Sequence, residues 1–313
     1  TACALNRRPG IHFTQRKESL DMSEADRAAP ENILVVNAGS SSLKFTMFGM
    51  LEEKIRAKGI VERIGLREPY LRYERFDGRE LKEQAKITNH DEALRLVCDK
   101  LVDSQYGVLD SLKQVEAIGH RVVHGGEKFH DSSVVTDEVK DIIRECSTLA
   151  PLHNPPNLGG IEACERVFPG VPNVAVFDTA FHHSMPPGAY LYAIPYEFYE
   201  KYGIRKYGFH GTSHKFAAQA TAEFLGKPID KLSLITCHLG NGDSITAVDH
   251  GKSVETSMGM TPLNGLVMGT RCGDIDPAIV LYLVRQGMSA DEIDKLLNKK
   301  SGLMGVAGIG SGD

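Results

Sequence analysis

Residues 37–44 read Asn-Ala-Gly-Ser-Ser-Ser-Leu-Lys. Ser40, Ser41 and Ser42 offer hydroxyl and amide donors, and Lys44 adds a mobile positive charge. Gly39 lets the backbone turn tightly and lets a ligand come close. This is chemistry for phosphate oxygens. The spacing of a Walker A loop is absent. The same stretch would also serve as a polar hairpin turn with no ligand, since Gly, Ser and Asn are common in turns for structural reasons. A second glycine-bracketed turn runs from His238 through Leu239, Gly240, Asn241, Gly242 and Asp243 to Ser244. Its amides suit a polyphosphate, and a Gly-Asn-Gly turn is equally an ordinary hairpin. The pairing of two such turns favours the phosphate reading.

Other residues supply charge. Arg121 and Arg271 lie in glycine-rich, non-helical surroundings, beside Gly125 and Gly126 and beside Gly269 and Gly273. Arginine grips carboxylate and phosphate bidentately, although its commonest role is a surface ion pair. Asp178 closes an apolar strand, where open α/β sheets place their ligand crevice, or it caps the following turn. His210 reads as a neutral or charged donor to phosphate. His120, His124, His153, His182, His183 and His214 read as hydrogen-bonded structural histidines. Metal-ligand spacing is missing from both histidine clusters.

The elements that must position these groups follow from pattern. Ile33-Leu34-Val35-Val36 is a short β-branched run leading into the first turn, and Leu43, Phe45, Met47 and Phe48 lead out of it. The segment 232–236, the second turn and the segment 245–248 repeat that strand–turn–strand arrangement. Residues 90–101 carry apolar positions at helical spacing behind Asn89 as cap. Helices are expected over 137–149, 158–167, after the segment 207–214 and running through 224, and over 277–286 and 290–298, with a strand at 174–177. Residues 151–157, which contain Pro151, Pro155 and Pro156, read as irregular. The texture changes after Asp178. First and second α/β domains are therefore expected over 31–179 and 180–313, with residues 1–30 a disordered extension.

The chain has 313 residues, net charge −5 and 42% hydrophobic residues, enough for two domains with cores of their own. The charge excludes a polybasic nucleic-acid surface, and no apolar run approaches the ~20 residues of a membrane helix. Six scattered cysteines without a Cys-x-x-Cys pair point to a reducing compartment. A cytoplasmic protein is expected. Arg7, Arg8, Arg16 and Lys17 would make an organellar one if residues 1–30 are a transit-peptide remnant.

Taken in order, the segments 37–45, 119–127, 151–157, 176–182, 207–214, 238–242 and 258–277 resemble the acetokinase family of the actin/sugar-kinase/heat-shock superfold. The resemblance implies an α/β, two-domain, actin-like ATPase (ribonuclease H-like) fold with a duplicated strand–turn–strand core. It implies reversible phosphoryl transfer from ATP to acetate, giving acetyl phosphate and ADP. A propionate or butyrate kinase, or an inactive nucleotide-binding relic, is the alternative. Mg²⁺ (or Mn²⁺) and a homodimer come with it, without nucleic-acid or membrane partners.

By that resemblance Asn37 is associated with the metal. Ser40, Ser42 and Lys44 form the first phosphate loop, and His238, Leu239, Gly240, Asn241 and Gly242 the second. Asp313 belongs to a nucleotide-binding loop. Arg121 holds the carboxylate substrate. Val123, Leu152, Phe209 and Pro262 surround its methyl group. Asp178, His210 and Arg271 are the catalytic set. The chain departs from the family pattern at Asp243, expected to repel polyphosphate, and at Gly312. It stops at Asp313, where the family continues through an Arg, another glycine-rich loop, a metal-associated Glu and a terminal helix. The second domain is accordingly expected to be incomplete, with weak nucleotide binding.

Overall fold

A computed structural model describes residues 31–309. The expectations for residues 1–30 and for Asp313 fall outside the described residues. The strands are β1 (Asn32–Ala38), β2 (Ser42–Gly49), β3 (Lys54–Glu62), β4 (Tyr70–Arg75), β5 (Glu80–Gln84), β6 (Ala117–Val122), β7 (Ser133–Val134), β8 (Asn173–Phe177), β9 (Ser233–His238), β10 (Ser244–Asp249) and β11 (Lys252–Thr256). The helices are α1 (His90–Leu101), α2 (Asp137–Glu145), α3 (Asn154–Val167), α4 (Pro187–Tyr190), α5 (Glu197–Tyr202), α6 (Gly211–Leu225), α7 (Pro277–Arg285), α8 (Ala290–Lys299) and α9 (Gly302–Ala307).

Two sheets organise the chain, one ordered β5-β4-β3-β2-β1-β6-β8-β7 and the other β11-β10-β9. In each, a strand turns back on itself through a polar loop and a third antiparallel strand is added. These units are β1–β2–β3 and β9–β10–β11. This is the duplicated pattern expected from the sequence. In the larger sheet β1, β6 and β8 run parallel, Val36 lying beside His120 and Val122 beside Phe177. Their carboxyl ends therefore reach one edge together. The turn after Ala38, the segment containing Arg121 and Val123, and Asp178 all stand at that edge, where open α/β sheets present their ligand crevice.

Burial explains why these strands stay in register. Leu34, Val36, Leu43, Phe45 and Ile118 point into one core with Leu94, Val97 and Leu101 of α1. The 90–101 helix begins as expected, with the Asn89 side chain accepting from the Glu92 amide. Val122, Ile143, Ile161 and Phe177 form a second core under α2 and α3. No described helix is long and apolar enough to cross a membrane.

Helix α3 corrects the reading of 151–157 as irregular. It starts at Asn154 with Pro155 and Pro156 in its first turn. Prolines are tolerated there because first-turn amides have no partner within the helix. The 137–149 helix is shorter than expected, ending at Glu145 before a 3₁₀ turn. The buried asparagines of α3 clip separate segments together. Asn157 Nδ2 donates to the Ala38 carbonyl at 2.7 Å, and its Oδ1 accepts from the Val123 amide at 3.0 Å. Asn154 Oδ1 accepts from the His124 amide, and its Nδ2 donates to the His124 and Ile143 carbonyls.

Asn157→Ala is expected to lower stability by about 2–4 kcal/mol, because it strands a backbone acceptor and a backbone donor in the interior. Urea unfolding of the full chain measures this. A loss below about 1 kcal/mol would show that water or neighbouring groups replace the clip.

Candidate active site

Asp178 follows β8 and is 2% exposed. Its amide donates to the Val122 carbonyl at 2.9 Å, and its carbonyl accepts from the Gly211 amide at 2.8 Å. Its carboxylate takes a forked pair of bonds from Arg121. Nε stands 3.1 Å from both oxygens and Nη2 stands 2.6 Å from Oδ2. The Arg121 side chain is still 42% exposed, and its Nη1 has no partner among the described residues. The donors left over face the open edge. Helix α6 starts against the Asp178 carbonyl so closely that a Cβ at Gly211 would lie 2.3 Å from that oxygen.

His210 sits immediately before α6 in the left-handed region, at φ 59°. A histidine held there carries a conformational cost of about 1–3 kcal/mol, a kind of strain that concentrates at functional sites. Its Nδ1 lies 2.9 Å from Ser244 Oγ, and its ring stacks on His238 with centroids 3.9 Å apart. Burial, then electrostatic repulsion from the neighbouring His238 and Arg121, push His210 down to about 3. It is therefore neutral at physiological pH. His238 is tied to α6 through Ser213 Oγ at 2.9 Å.

Arg271 reaches the same place from the segment before α7. Its Nη1 donates to the Pro262 carbonyl at 3.1 Å, and it makes no salt bridge among the described residues. A Cβ at Gly242 would lie 3.0 Å from Arg271 Nη1 and 3.6 Å from His210 Cε1. The second polar turn is thus packed directly on both. Burial and the like charge of Arg121 push Arg271 below its ordinary value, while Asp243 pulls the other way. This is a cationic site with an arginine that lacks a carboxylate partner among the described residues.

The structure brings together Arg121, Asp178, His210, His238, Gly242, Pro262 and Arg271. Asn241 belongs to the same turn, against Gly269. Val123 and Phe209, 3% and 1% exposed, pack with Ala150, Met258 and Met268 behind the site. Leu152 is 54% exposed. The four residues assigned to an apolar pocket are thus split between a filled backing layer and the open face. Ser40 lies in the β1–β2 turn, while Ser42 opens β2 and Lys44 pairs with Asn37 across the two strands. Gly39 N donates to the Ser42 carbonyl at 2.8 Å, and the Gly39 carbonyl accepts from His90 Nε2 at 2.7 Å. Leu239 is exposed beside Gly240.

Three sequence expectations change. Asp243 folds back on its own turn, Oδ1 accepting from the Gly240 amide at 2.7 Å. It shapes the loop, and it occupies an amide assigned to phosphate. His183, read as a hydrogen-bonded structural residue, is exposed and its side chain has no hydrogen-bond partner among the described residues. The His153 side chain, given the same reading, has none either. Burial and the charges of Arg271 and Arg121 lower its pKa, so it belongs beside the site. The histidine–proline spacing around α3 gives no cue to that placement. The remaining structural readings stand for His120 on Asn173, for His182 on Ser253 and the Phe209 carbonyl, and for His214 on Thr236 and Ser244. A separate groove of about 420 Å³, lined by His130, Phe181, His183 and Lys215 among others, contains none of the arginines.

A metal would find few protein ligands. Among the described residues no group of three His, Cys, Asp or Glu side chains converges. Both Asp178 oxygens are engaged by Arg121, and Asn37, at the end of β1, has a side chain free of hydrogen bonds among the described residues. That donor set fits a hard cation such as Mg²⁺, which keeps waters and is carried largely by substrate phosphates.

Comparison with known proteins follows the same lines. A profile described as the acetokinase family matches residues 32–313. The acetate kinase of Halothermothrix orenii is 57% identical over 278 residues, covering 88% of this chain and 70% of that protein. Among solved structures, Porphyromonas gingivalis acetate kinase superposes with a TM-score of 0.86 at 44% identity, over 90% of this chain and 71% of its own. A propionate kinase from Francisella tularensis gives 0.84 at 43%, with the same coverages.

Burial pushes His120, His124, His182 and His214 down to about 4 and His210 to about 3. Above pH ~6.5 these rings are neutral whether the chain is folded or not. Below it the unfolded chain takes up protons that the folded one refuses. The stability is therefore full above ~6.5 and is lost as pH falls through the folded values near 4. The urea midpoint should drop between pH 6.5 and 4.5, with net proton uptake on unfolding. A flat midpoint over that range would contradict the neutral, buried assignment.

Proposed function

The chain belongs to the acetokinase family, and on that footing we propose that it transfers the terminal phosphoryl group of ATP reversibly to acetate, giving acetyl phosphate and ADP. It has the actin-like ATPase (ribonuclease H-like) fold. The observation that carries the reading is Arg271, without a salt bridge among the described residues, beside the half-exposed, Asp178-anchored Arg121 and neutral His210. Two cations crowd one cleft edge, and an anion relieves their repulsion.

The chemistry needs little from the protein beyond placement and charge. An acetate oxygen attacks the terminal phosphorus, that O–P bond forms, and the bond to the bridging oxygen of ADP breaks, leaving the electron pair on ADP. Acetate is already ionised, so no base is required, and catalysis rests on in-line positioning and charge neutralisation. In this reading the free donors of Arg121 hold the acetate carboxylate. Asp178 fixes the plane of that guanidinium and acts as an orienting group. Arg271 and His210 face the equatorial oxygens of the phosphoryl group in transit. Ser40, Ser42 and Lys44, with the amides of Asn241 and Gly242, receive the polyphosphate. Mg²⁺, held by Asn37 Oδ1, water and the phosphates, would neutralise charge on the nucleotide.

The second reading, propionate as acceptor, is favoured by the propionate kinase neighbour. One methylene in an apolar pocket is worth about 1–3 kcal/mol, so the two substrates overlap. A homodimer belongs to the same reading and rests on the family resemblance.

Trapping of acyl phosphate with hydroxylamine, in the presence of ATP, Mg²⁺ and acetate, propionate or butyrate, tests the function. Acetate is expected to react best, and no product with any of the three acids would sink the reading. Arg121→Ala should raise the KM for acetate far more than that for ATP. Arg271→Ala should mainly depress kcat, because its partner charge is greatest in the transition state. Asp243→Ala frees the Gly240 amide and removes a negative charge, so it should tighten ATP binding measured by calorimetry. Unchanged or weaker binding would mean that the loop shape set by Asp243 matters more than its charge.

A further inference from the structure

Four side chains form a continuous line from the interior to the cleft. Thr236 Oγ1 lies 2.7 Å from His214 Nδ1, and His214 Nε2 lies 2.7 Å from Ser244 Oγ. Ser244 Oγ lies 2.9 Å from His210 Nδ1. Thr236, His214 and Ser244 are buried, at 6%, 1% and 0% exposure. Thr236 is on β9, Ser244 opens β10 and His214 is on the first turn of α6, so the line ties the small sheet to the helix that carries His210.

Burial holds both rings neutral, so each has one ring N–H. The serine hydroxyl can then be satisfied in two orders. In one, Thr236 donates to His214 Nδ1, His214 Nε2–H donates to Ser244, and Ser244 donates to His210 Nδ1. The proton of His210 is then on Nε2. In the other, every bond is reversed, His210 carries its proton on Nδ1, and Nε2 offers a lone pair. The reversed order makes Thr236 an acceptor. Its hydroxyl proton would then be buried without a partner, because Thr236 Oγ1 makes no other hydrogen bond among the described residues. A buried donor left unmade is the costlier fault.

We propose that Thr236, His214 and Ser244 are positioning residues that fix the proton order of His210, so that its Nε2–H is a permanent donor. This rests on the phosphoryl-transfer reading for its purpose, since only a donor can bond a phosphoryl oxygen. The proton order itself follows from the buried hydroxyl and the two neutral rings. A neutral imidazole whose tautomer is not held spends part of its time presenting a lone pair to an anion, which repels it. A partner that imposes the tautomer of a catalytic imidazole is known to matter strongly for rate.

The test is ¹⁵N NMR of the full chain with labelled histidine at pH 7. His210 is expected to show a protonated Nε2 and an unprotonated Nδ1. A protonated Nδ1 would overturn the proposal, whatever any variant does. Ser244→Ala deletes the hydroxyl that bonds His210 Nδ1, so neither order is imposed on that ring. It should turn His210 into a mixture of tautomers and lower kcat about tenfold or more, with each KM within roughly twofold of the parent. An Ala variant with the parent's tautomer and kcat would also overturn the proposal. A parent chain that forms no acyl phosphate yet shows His210 protonated on Nε2 would refute the function and uphold the proton order.

Discussion

Asp178 is the point on which the site hangs. Its side chain and amide bind neighbouring residues at the end of β6, Arg121 and Val122, and its carbonyl binds the first turn of α6. A carboxylate this buried is tolerated only if paired and hydrogen-bonded. Arg121 meets that need, and in meeting it the guanidinium loses its freedom to rotate. The carbonyl, meanwhile, sets where α6 begins and hence where His210 stands. One residue thereby fixes the relative position of a cation and a neutral donor that lie far apart in sequence.

The charge pattern around this hub is uneven by design of the packing. Arg121 is compensated by Asp178, and Arg271 has no salt bridge among the described residues. Around them stand imidazoles that burial keeps neutral, so they add donors without adding to the repulsion. Asp243 moderates the excess from the edge, while its main contact is with its own turn. An arrangement of this kind favours a ligand whose negative charge is spread over several oxygens, because each cation can meet a different one.

Much of the architecture was legible because it is written in local pattern. The β-branched run of β1, the Asn89 cap of α1 and the two polar turns all depend on neighbours within a few residues. Asp178, Arg121 and Arg271 were legible as candidates from strand-end and glycine-rich settings. What escaped the sequence is long-range. Nothing near Asn157 says that its amide will bridge Ala38 and Val123, and nothing near His153 says that it will feel the charge of Arg271 and Arg121. The early start of α3 did have a local cue, since adjacent prolines suit a first helical turn as well as a loop. The Asp243 contact also had one, a carboxylate three residues after an amide in a tight turn, but its charge drew attention away from its geometry.

The parallel pairing of β1 with β6 and β8 bears on the order in which the molecule can form. β1, β2, β3, β4 and β5 pair with sequence neighbours as they emerge during synthesis. The catalytic edge needs something else: Ile33 must wait for Ala117, and Ile118 must wait for Asn173. Such distant pairings close slowly, and the unpaired strand edge is exposed in the meantime. A ribosome that has released only the antiparallel half of the large sheet would therefore carry a stable meander with one sticky flank. Chaperone demand should peak in the interval before β8 appears.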